Sequence, residues 1–324
     1  MNLASYVTRS VLGLVASLLA PSLLHADVLT VDTGGGDADF INLQAAVNAA
    51  EEGDTLLISG PFGGMAFVTG KSLDLVGVAD ENGRPRVGAV TVQLLGPGQT
   101  VRIRGLDIVG TNTTLLPYPG VLARDCAGSL LVQDCSIDGL RPGVLLERTA
   151  RTVVSRCTIT SGTGFQTPFE LIGAGDGVTA IDSSLVVQGC SILGGIGMHA
   201  RPGFIDPLLD PSDGGHGGVG LRVVRSSVFV VRSSVQGGDG GDGFTGEGLV
   251  CLEAGPGGAG LLVADSLSSV RLVDLVPVGG NAGSEAPGCP ASGLDGLDID
   301  APPGTVLFGH RDLRPLAQVV PGGE

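Results

Sequence analysis

The 324-residue chain contains no tryptophan, and aromatic residues make up only 3% of it. The side chain best suited to stack on a sugar ring is therefore missing. Lysine occurs once, at Lys71, and 18 basic against 33 acidic residues give a net charge of −15. This balance, with no basic and aromatic patches, argues against nucleic acid and anionic lipid as partners. A polyanionic ligand would need calcium to bridge it to the chain.

Common catalytic and zinc motifs are also missing. The sequence has no GxSxG nucleophile motif, no CxxC pair and no His/Cys spacing typical of zinc. Serines occur instead as pairs at Ser183-Ser184, Ser226-Ser227 and Ser268-Ser269. Hydroxyl groups in such pairs can hydrogen-bond to a bent backbone, so we interpret them as turn residues.

Long apolar runs are confined to the N-terminal 26 residues. Arg9 precedes an apolar run over 11–24, and Leu24-His25-Ala26 stands before Asp27, as in a secretory signal. A membrane anchor is the alternative, but Pro21 interrupts the run short of the ~18 residues that a span needs. We expect 1–26 to be a signal peptide, with no membrane span after its removal. The protein is then secreted, periplasmic or at the cell surface.

What the chain does have is a repeated strand pattern, clearest in GVTAIDSSLVVQGCSILGG at 177–195. Alternate residues of a strand share a face, so Val178 pairs with Ala180, Leu185 with Val187, and Cys190 with Ile192. The steps between these pairs are odd, so the chain must bend twice to keep all six side chains inside. This predicts one coil of three short strands around a filled interior.

The line SLVVQGCSILG recurs along the chain, with starts at 100, 129, 151, 184, 227 and 269. A strand that begins with glycine recurs as well, for example GVLARD at Gly120 and GVLLER at Gly143. A fixed unit with variable insertions is the mark of a solenoid. We expect about nine coils, about 40 Å long at 4.8 Å per coil, with right-handed crossovers.

These lines resemble the right-handed parallel β-helix family, the pectin lyase-like superfamily, over roughly 28–308. That superfamily includes pectate lyases, polygalacturonases and many uncharacterised exported proteins. The resemblance implies an all-β fold: a right-handed parallel β-helix in a single domain over 27–324. A short N-terminal helix would cover the first coil, capped by Asp39 and presenting Phe40, Leu43 and Val47 on one face.

Three glycine-rich inserts, 196–217, 239–257 and 281–295, leave the coils at the same corner. Stacked coils would place them side by side as one lobe. So many glycines indicate either close backbone packing or disorder, and the sequence leaves both open. Phe204 and Phe244 lie in this lobe and are the candidates for stacking on a sugar.

The six cysteines fall into two groups. Cys135, Cys157 and Cys190 share one position in the repeat and should stack inside as small apolar residues. Cys251 and Cys289 lie in neighbouring inserts, where an exported protein could form a disulfide. Cys126 has no predicted partner.

Resemblance to polygalacturonases suggests Asp176 and His216 as catalytic residues. Gly175-Asp176-Gly177 stands where the first carboxylate would lie, and Gly215-His216-Gly217 matches the histidine motif. The paired aspartates are replaced by Gly194-Gly195-Ile196, and no Arg-x-Lys follows. Glycoside hydrolysis usually needs two carboxylates, which Asp176 alone cannot supply. A loop histidine is the alternative interpretation of His216.

A calcium-assisted lyase would need a carboxylate cluster and a basic residue. The densest acidic group, Asp295, Asp298 and Asp300, makes Asp298 the third catalytic candidate. GGDGGDGFT at 237–245 fits one copy of a calcium nonapeptide, with Asp239 and Asp242 as ligands, although glycine richness alone can produce the match. Calcium is the one cofactor that the sequence suggests.

One further row of outward residues carries charge. Arg124, Glu147, Ile181, Arg222, Leu262 and Asp300 are expected to lie along successive glycine-leading strands. Their charges alternate in sign, which indicates either a solvated surface or ion pairs between coils.

Together these observations favour an exported, non-catalytic β-helix: a cell-surface or periplasmic scaffold or a glycan-binding protein. The alternative is a divergent polysaccharide lyase or glycoside hydrolase that uses Asp176, His216 and Asp298. In both cases the expected partner is a polysaccharide or cell-surface glycan.

Overall fold

The computed structural model describes residues 26–61, 63–81, 83–110, 112–113, 116–139, 141–166, 171–200, 213–245, 251–289, 293–302 and 307–309. Within these residues the chain forms strands that pair in parallel with the equivalent strands of the coils before and after, and one short helix. This confirms the prediction of an all-β parallel β-helix. Residues 1–25 of the predicted signal peptide lie outside the described residues.

The strands stack into three faces. The first face contains Val28–Asp32, Thr55–Ser59, Leu73–Gly77, Thr100–Arg104, the second parts of Val121–Gln133 and Val144–Ser155, Ser184–Gln188, Ser227–Val231, Ser269–Val273 and Leu307–Gly309. The second contains Ala66–Thr69, Val90–Gln93, the first parts of the same two long strands, Val178–Ile181, Leu221–Val224, Leu261–Val263 and Ile299–Asp300. The third contains Arg86–Val87, Asp107–Val109, Ser136–Gly139, Thr158–Ser161, Ser191–Leu193 and Ser234–Gln236.

Three antiparallel hairpins project from the coils. Their strand pairs are Asn112–Thr113 with Leu116–Pro117, Phe165–Gln166 with Leu171–Ile172, and Phe244–Thr245 with Cys251–Leu252.

The interior follows the odd spacing of the apolar pairs. In the coil at 177–195, the side chains of Val178, Ala180, Leu185, Val187, Cys190 and Ile192 are all buried. Leu185 pairs in register with Thr152 and Val228 of the adjacent coils, so inward positions lie directly above one another. The core is thus a stack of aliphatic side chains, and a one-residue slip would turn each strand inside out.

Corners between faces carry residues with left-handed backbone angles, which cost energy for any residue except glycine. The φ angle is 55° at Asp125, 54° at Arg148, 49° at Asp182 and 45° at Arg225. The aspartates and arginines of successive coils pair: Arg148 Nε donates to Asp125 Oδ1 at 2.5 Å, and Arg225 Nε donates to Asp182 Oδ1 at 2.7 Å. Alternating charge therefore holds adjacent corners together.

The residue after each left-handed position points inward. At one corner these are Cys126, Thr149, Ser183 and Ser226, and Ser183 N donates to Ser226 Oγ at 2.9 Å. At the other they are Cys135, Cys157 and Cys190, all buried free thiols. Cys126 thus occupies a serine position, where its thiol donates to Arg124 O at 3.3 Å and burial raises its pKa.

The helix spans Leu43–Ala49 and packs Leu43, Ala46 and Val47 into the first coil. Its N-cap is Asn42, whose side chain accepts from Ala45 N at 2.9 Å, so the prediction of Asp39 as cap was wrong. Asp39 instead accepts from Thr30 N at 2.8 Å, because Phe40 pairs with the first strand. No helix in the described part of the chain is both long and apolar enough to cross a membrane.

The described residues of the glycine-rich inserts form an ordered array of extended legs. Outgoing legs cover 194–200, 237–243 and 279–284, and returning legs cover 213–220, 253–260 and 293–298. In one pair of outgoing legs, Gly194 N donates to Gln236 O, Gly197 N to Asp239 O and Ala200 N to Asp242 O. A three-residue repeat of this kind is the period of a polyproline II helix, whose backbone groups bond only to neighbours. We call these six segments the glycine array.

Outgoing and returning legs of the glycine array also bond to each other across two layers. Gly218 N donates to Gly195 O at 2.7 Å, Gly238 N to Gly218 O at 2.8 Å and Gly258 N to Gly238 O at 2.8 Å. A Cβ added to Gly238 would lie 1.9 Å from Gly195 O. Glycine is therefore required at these contacts, as at the axis of a collagen helix.

Gly238→Ala should reduce the free energy of unfolding by about 3 kcal/mol, because the added methyl group meets backbone that cannot move aside. Chemical denaturation followed by circular dichroism would measure this. Gly173→Ala is the matched control, since a Cβ at Gly173 has no atom within 4 Å. Equal stability of the two variants would contradict a closely packed glycine array.

Stability should fall in acid because of the corner ion pairs. The hydrogen bond from Arg225 lowers the pKa of Asp182 below its usual value of 3.8, and Arg148 does the same for Asp125. A lowered folded-state pKa means that the unfolded chain takes up protons first, so this contribution is complete above and lost below about pH 4. In urea titrations across this range, Asp182→Asn should flatten the acid loss. Glu81→Gln, at an exposed glutamate without a described hydrogen bond, should not change it.

Candidate functional site

Asp176, the first candidate catalytic carboxylate, is fully engaged by its neighbours. Its Oδ1 accepts from Val219 N at 3.1 Å and from Arg222 Nη2 at 3.2 Å. Its Oδ2 accepts from Thr179 Oγ1 at 3.0 Å and from Arg222 Nε at 2.5 Å. Only 16% of the side chain is exposed. A carboxylate whose two oxygens accept four hydrogen bonds from the protein is a structural anion with little bonding capacity left for a ligand.

The partner of Asp176 was missed because the sequence repeat suggested the wrong register. Arg222 pairs in register with Thr179 and Leu262, not with Ile181 as the predicted charged row required. The reason is that Gly220, rather than Gly218, is equivalent to Gly177. Two glycines two residues apart cannot be distinguished by pattern alone, and the shift places the guanidinium group next to Asp176.

Asp298 and Asp295 terminate the glycine array. In earlier coils the amide groups equivalent to Gly279 N and Ala282 N donate to the next outgoing leg. At the last outgoing leg these amides donate instead to Asp298 Oδ1 at 3.0 Å and Asp295 Oδ1 at 2.9 Å. The densest acidic group of the sequence therefore contributes two caps to an otherwise open edge.

Asp239 and Asp242, the candidate calcium ligands, accept hydrogen bonds from outward-facing backbone amides of the next coil. Asp239 Oδ1 accepts from Asn281 N at 2.8 Å, and Asp242 Oδ1 accepts from Ser284 N at 2.7 Å. His199 of the preceding coil plays the same part, since its Nδ1 accepts from Asp242 N at 3.1 Å. Within the described ranges, no three His, Cys, Asp or Glu side chains lie close enough to share an ion. Calcium binding by this pair remains a prediction.

His216 lies exposed on a returning leg, and its neighbours Gly215 and Gly217 donate to Met198 O and Pro256 O. Asp176 is level with Val219, three residues and therefore about 9 Å along the leg from His216. Asp298 lies three coils from Asp176, at roughly 14 Å. The structure thus does not bring the three candidate catalytic residues together, and the two carboxylates exceed the 5–9.5 Å of glycosidases.

A disulfide joins Cys251 and Cys289, whose Cα atoms are 5.5 Å apart. It connects the hairpin Phe244–Thr245/Cys251–Leu252 to the insert of the next coil. Beside it lies an open cleft of about 600 Å³. The lining residues are Asp242, Gly243, Phe244, Thr245, Ser284, Glu285, Ala286 and Pro287.

This acidic cleft contains one of the two aromatic binding candidates, Phe244, whereas Phe204 lies outside the described residues. Glu285 and Thr245 were not predicted from the sequence. The available signal was the equal spacing of Thr245 and Pro287 from the aligned glycines Gly241 and Gly283, which becomes visible once the register of the legs is known.

Comparison with known proteins adds fold similarity only. No family model and no curated protein sequence matches the chain. Among solved structures, pectate lyase Pel9A is similar with a TM-score of 0.41 and 13% identity, over 78% of this chain and 63% of that one. A rhamnogalacturonan lyase has a TM-score of 0.25 and 12% identity, over 77% of this chain and 74% of that one. An alginate lyase from Paenibacillus sp. str. FPU-7 has a TM-score of 0.26 and 10% identity, over 87% of this chain and 98% of that one.

The chain spans 63% of the length of that pectate lyase. With identities of 10–13%, none of the three similarities assigns a role to any residue of this chain.

Asp176→Ala should destabilise the fold by about 2 kcal/mol, because it leaves Arg222 half-buried without its acceptor. Thermal and urea unfolding of the single variants and of Asp176→Ala/Arg222→Ala would measure the coupling. The double variant should recover part of the loss. Additive effects of the two substitutions would show that the pair has no structural role.

Proposed function

We propose that this chain is an exported, non-catalytic parallel β-helix protein that binds a glycan through the glycine array and its adjoining cleft. The observation that supports this most is the use of the candidate carboxylates. Asp176, Asp239, Asp242 and Asp298 each accept hydrogen bonds from backbone amides of a neighbouring segment. Their sequence pattern is accounted for by the backbone, with no reaction required.

The outer surface of the glycine array suits recognition of a long repeating ligand. Side chains that leave the same side of one leg recur every three residues, about 9 Å, and adjacent legs lie about 4.8 Å apart. Ile196, Asp239 and Asn281 form one such row across three coils. Because hydrogen bonds in two directions fix the legs, little conformational entropy is lost when a ligand binds.

Export is the second part of the proposal, and it rests on the signal-like segment at 1–26. The disulfide between Cys251 and Cys289 agrees with an oxidising compartment. The four buried thiols do not argue against this, since they are packed away from oxidants.

A polysaccharide lyase is the second candidate function. Its support is that the three similar solved structures are described as lyases for pectate, rhamnogalacturonan and alginate, which is a fold-level analogy. The acidic charge of this chain opposes binding of such anionic chains unless a cation intervenes.

A panel of acidic, neutral and amino polysaccharides would test both functions. We expect retention on at least one immobilised polysaccharide, with neither new reducing ends nor the ultraviolet absorbance of unsaturated uronates. Gly238→Ala, which perturbs the array, should weaken retention. Cleavage that is abolished by Asp176→Asn or Asp298→Asn, in variants shown to be folded, would establish the enzyme instead.

A further inference from the structure

The acidic cleft combines negative charge with an aromatic ring. Asp242 and Glu285 supply carboxylates, Phe244 supplies the ring, and no arginine, lysine or histidine is among the lining residues. Thr245 and Ser284 add hydroxyl groups, and Pro287 adds an apolar surface. A site with this composition attracts a cationic group that carries hydroxylated neighbours.

The two carboxylates are in different states. Asp242 is fixed, because Oδ1 accepts from Ser284 N at 2.7 Å and its own backbone N–H donates to His199 Nδ1 at 3.1 Å. Glu285 is exposed, and its side chain makes no hydrogen bond or ion pair with any described residue. Glu285 is therefore available to a ligand, whereas Asp242 adds a fixed negative charge beside it.

The walls of the cleft are held in place from several directions. Gly243 N donates to Ser284 O at 2.9 Å, and Thr245 Oγ1 donates to Pro287 O at 3.2 Å. The disulfide between Cys251 and Cys289 links the strand that pairs with Thr245 to the chain just after Pro287. This cross-linking keeps Phe244 and Glu285 on opposite segments at a constant separation, as a preformed binding site requires.

We propose that the acidic cleft binds the protonated amino group of a hexosamine in a de-N-acetylated glycan. The ammonium group would lie between Glu285, Asp242 and the face of Phe244, with the sugar hydroxyls near Thr245 and Ser284. This proposal rests on the proposed glycan-binding function and names its ligand class. It agrees with the net charge of −15, which attracts a polycationic glycan as a whole.

Isothermal titration of the full exported chain with a glucosamine hexamer, in mildly acidic buffer of low salt, would test the proposal. The N-acetylglucosamine hexamer is the ligand control, because acetylation converts each ammonium group into a neutral amide and leaves the ring and its hydroxyl groups unchanged. We expect binding of the amino form to be at least tenfold tighter. Raising the salt to 1 M should weaken it, since the Debye length falls to about 3 Å.

Glu285→Gln preserves the shape of the side chain and should weaken glucosamine binding about tenfold. Phe244→Leu should weaken it roughly fivefold through loss of the cation–π contact. Glu81→Gln is the control variant, because Glu81 is an exposed glutamate that lies outside both the glycine array and the cleft. It should bind as the unmodified chain does.

Three results would overturn this inference. Equal affinity for the two hexamers would show that the cleft does not recognise the ammonium group. Equal loss of affinity in Glu285→Gln and Glu81→Gln would show that only the overall charge matters. If a lysine hexapeptide binds as tightly as the glucosamine hexamer, the cleft recognises positive charge and not the sugar. If the chain instead binds neutral or acidic glycans in the panel, the proposed function stands while the hexosamine ligand is wrong.

Discussion

Every coil of this solenoid depends on backbone hydrogen bonds to the coils on either side of it. Parallel pairing in register repeats along all three faces, so each residue lies above its equivalent in the previous coil. Valine stacks on valine, serine on serine and aspartate on arginine for this one reason. The same constraint continues beyond the strands, where the glycine-rich inserts repeat the bonds at every third residue.

The acidic character of the glycine array follows from this constraint. A polyproline II leg has no internal hydrogen bonds, so each of its amides needs an acceptor elsewhere. Two amides in each turn reach a neighbouring leg, and the third faces outward, where a side chain of the preceding coil can accept it. Asp239 and Asp242 accept from Asn281 N and Ser284 N in this way, and His199 Nδ1 accepts from Asp242 N. An acidic residue here is part of the backbone bonding, which limits what can be inferred from acidic motifs in such sequences.

The fold was largely predictable because the period-two pattern and its odd gaps act locally on each residue. Val187 and Cys190 could be placed inside from their spacing alone, and the Cys251–Cys289 bond follows the predicted pairing. Functional interpretation was harder, because it needed the register between distant segments. The motif around Gly177 predicts a catalytic role for Asp176. Only the alignment of Gly220 with Gly177 shows that Arg222 is the partner of this carboxylate. Likewise, Asn42 rather than Asp39 caps the helix because Phe40 is drawn into the edge strand, a contact that helix propensity does not encode.

The three-residue period of the legs also governs how this lobe can change length during evolution. An outgoing leg and its returning leg run antiparallel and bond to each other, so a deletion of one residue in either would misalign every contact further out. Whole turns of three residues, removed from both legs together, would leave the remaining bonds intact. The glycine array can therefore grow or shrink in steps of about 9 Å. Its tip, which carries the disulfide-linked hairpin, can vary while the geometry of its base stays the same.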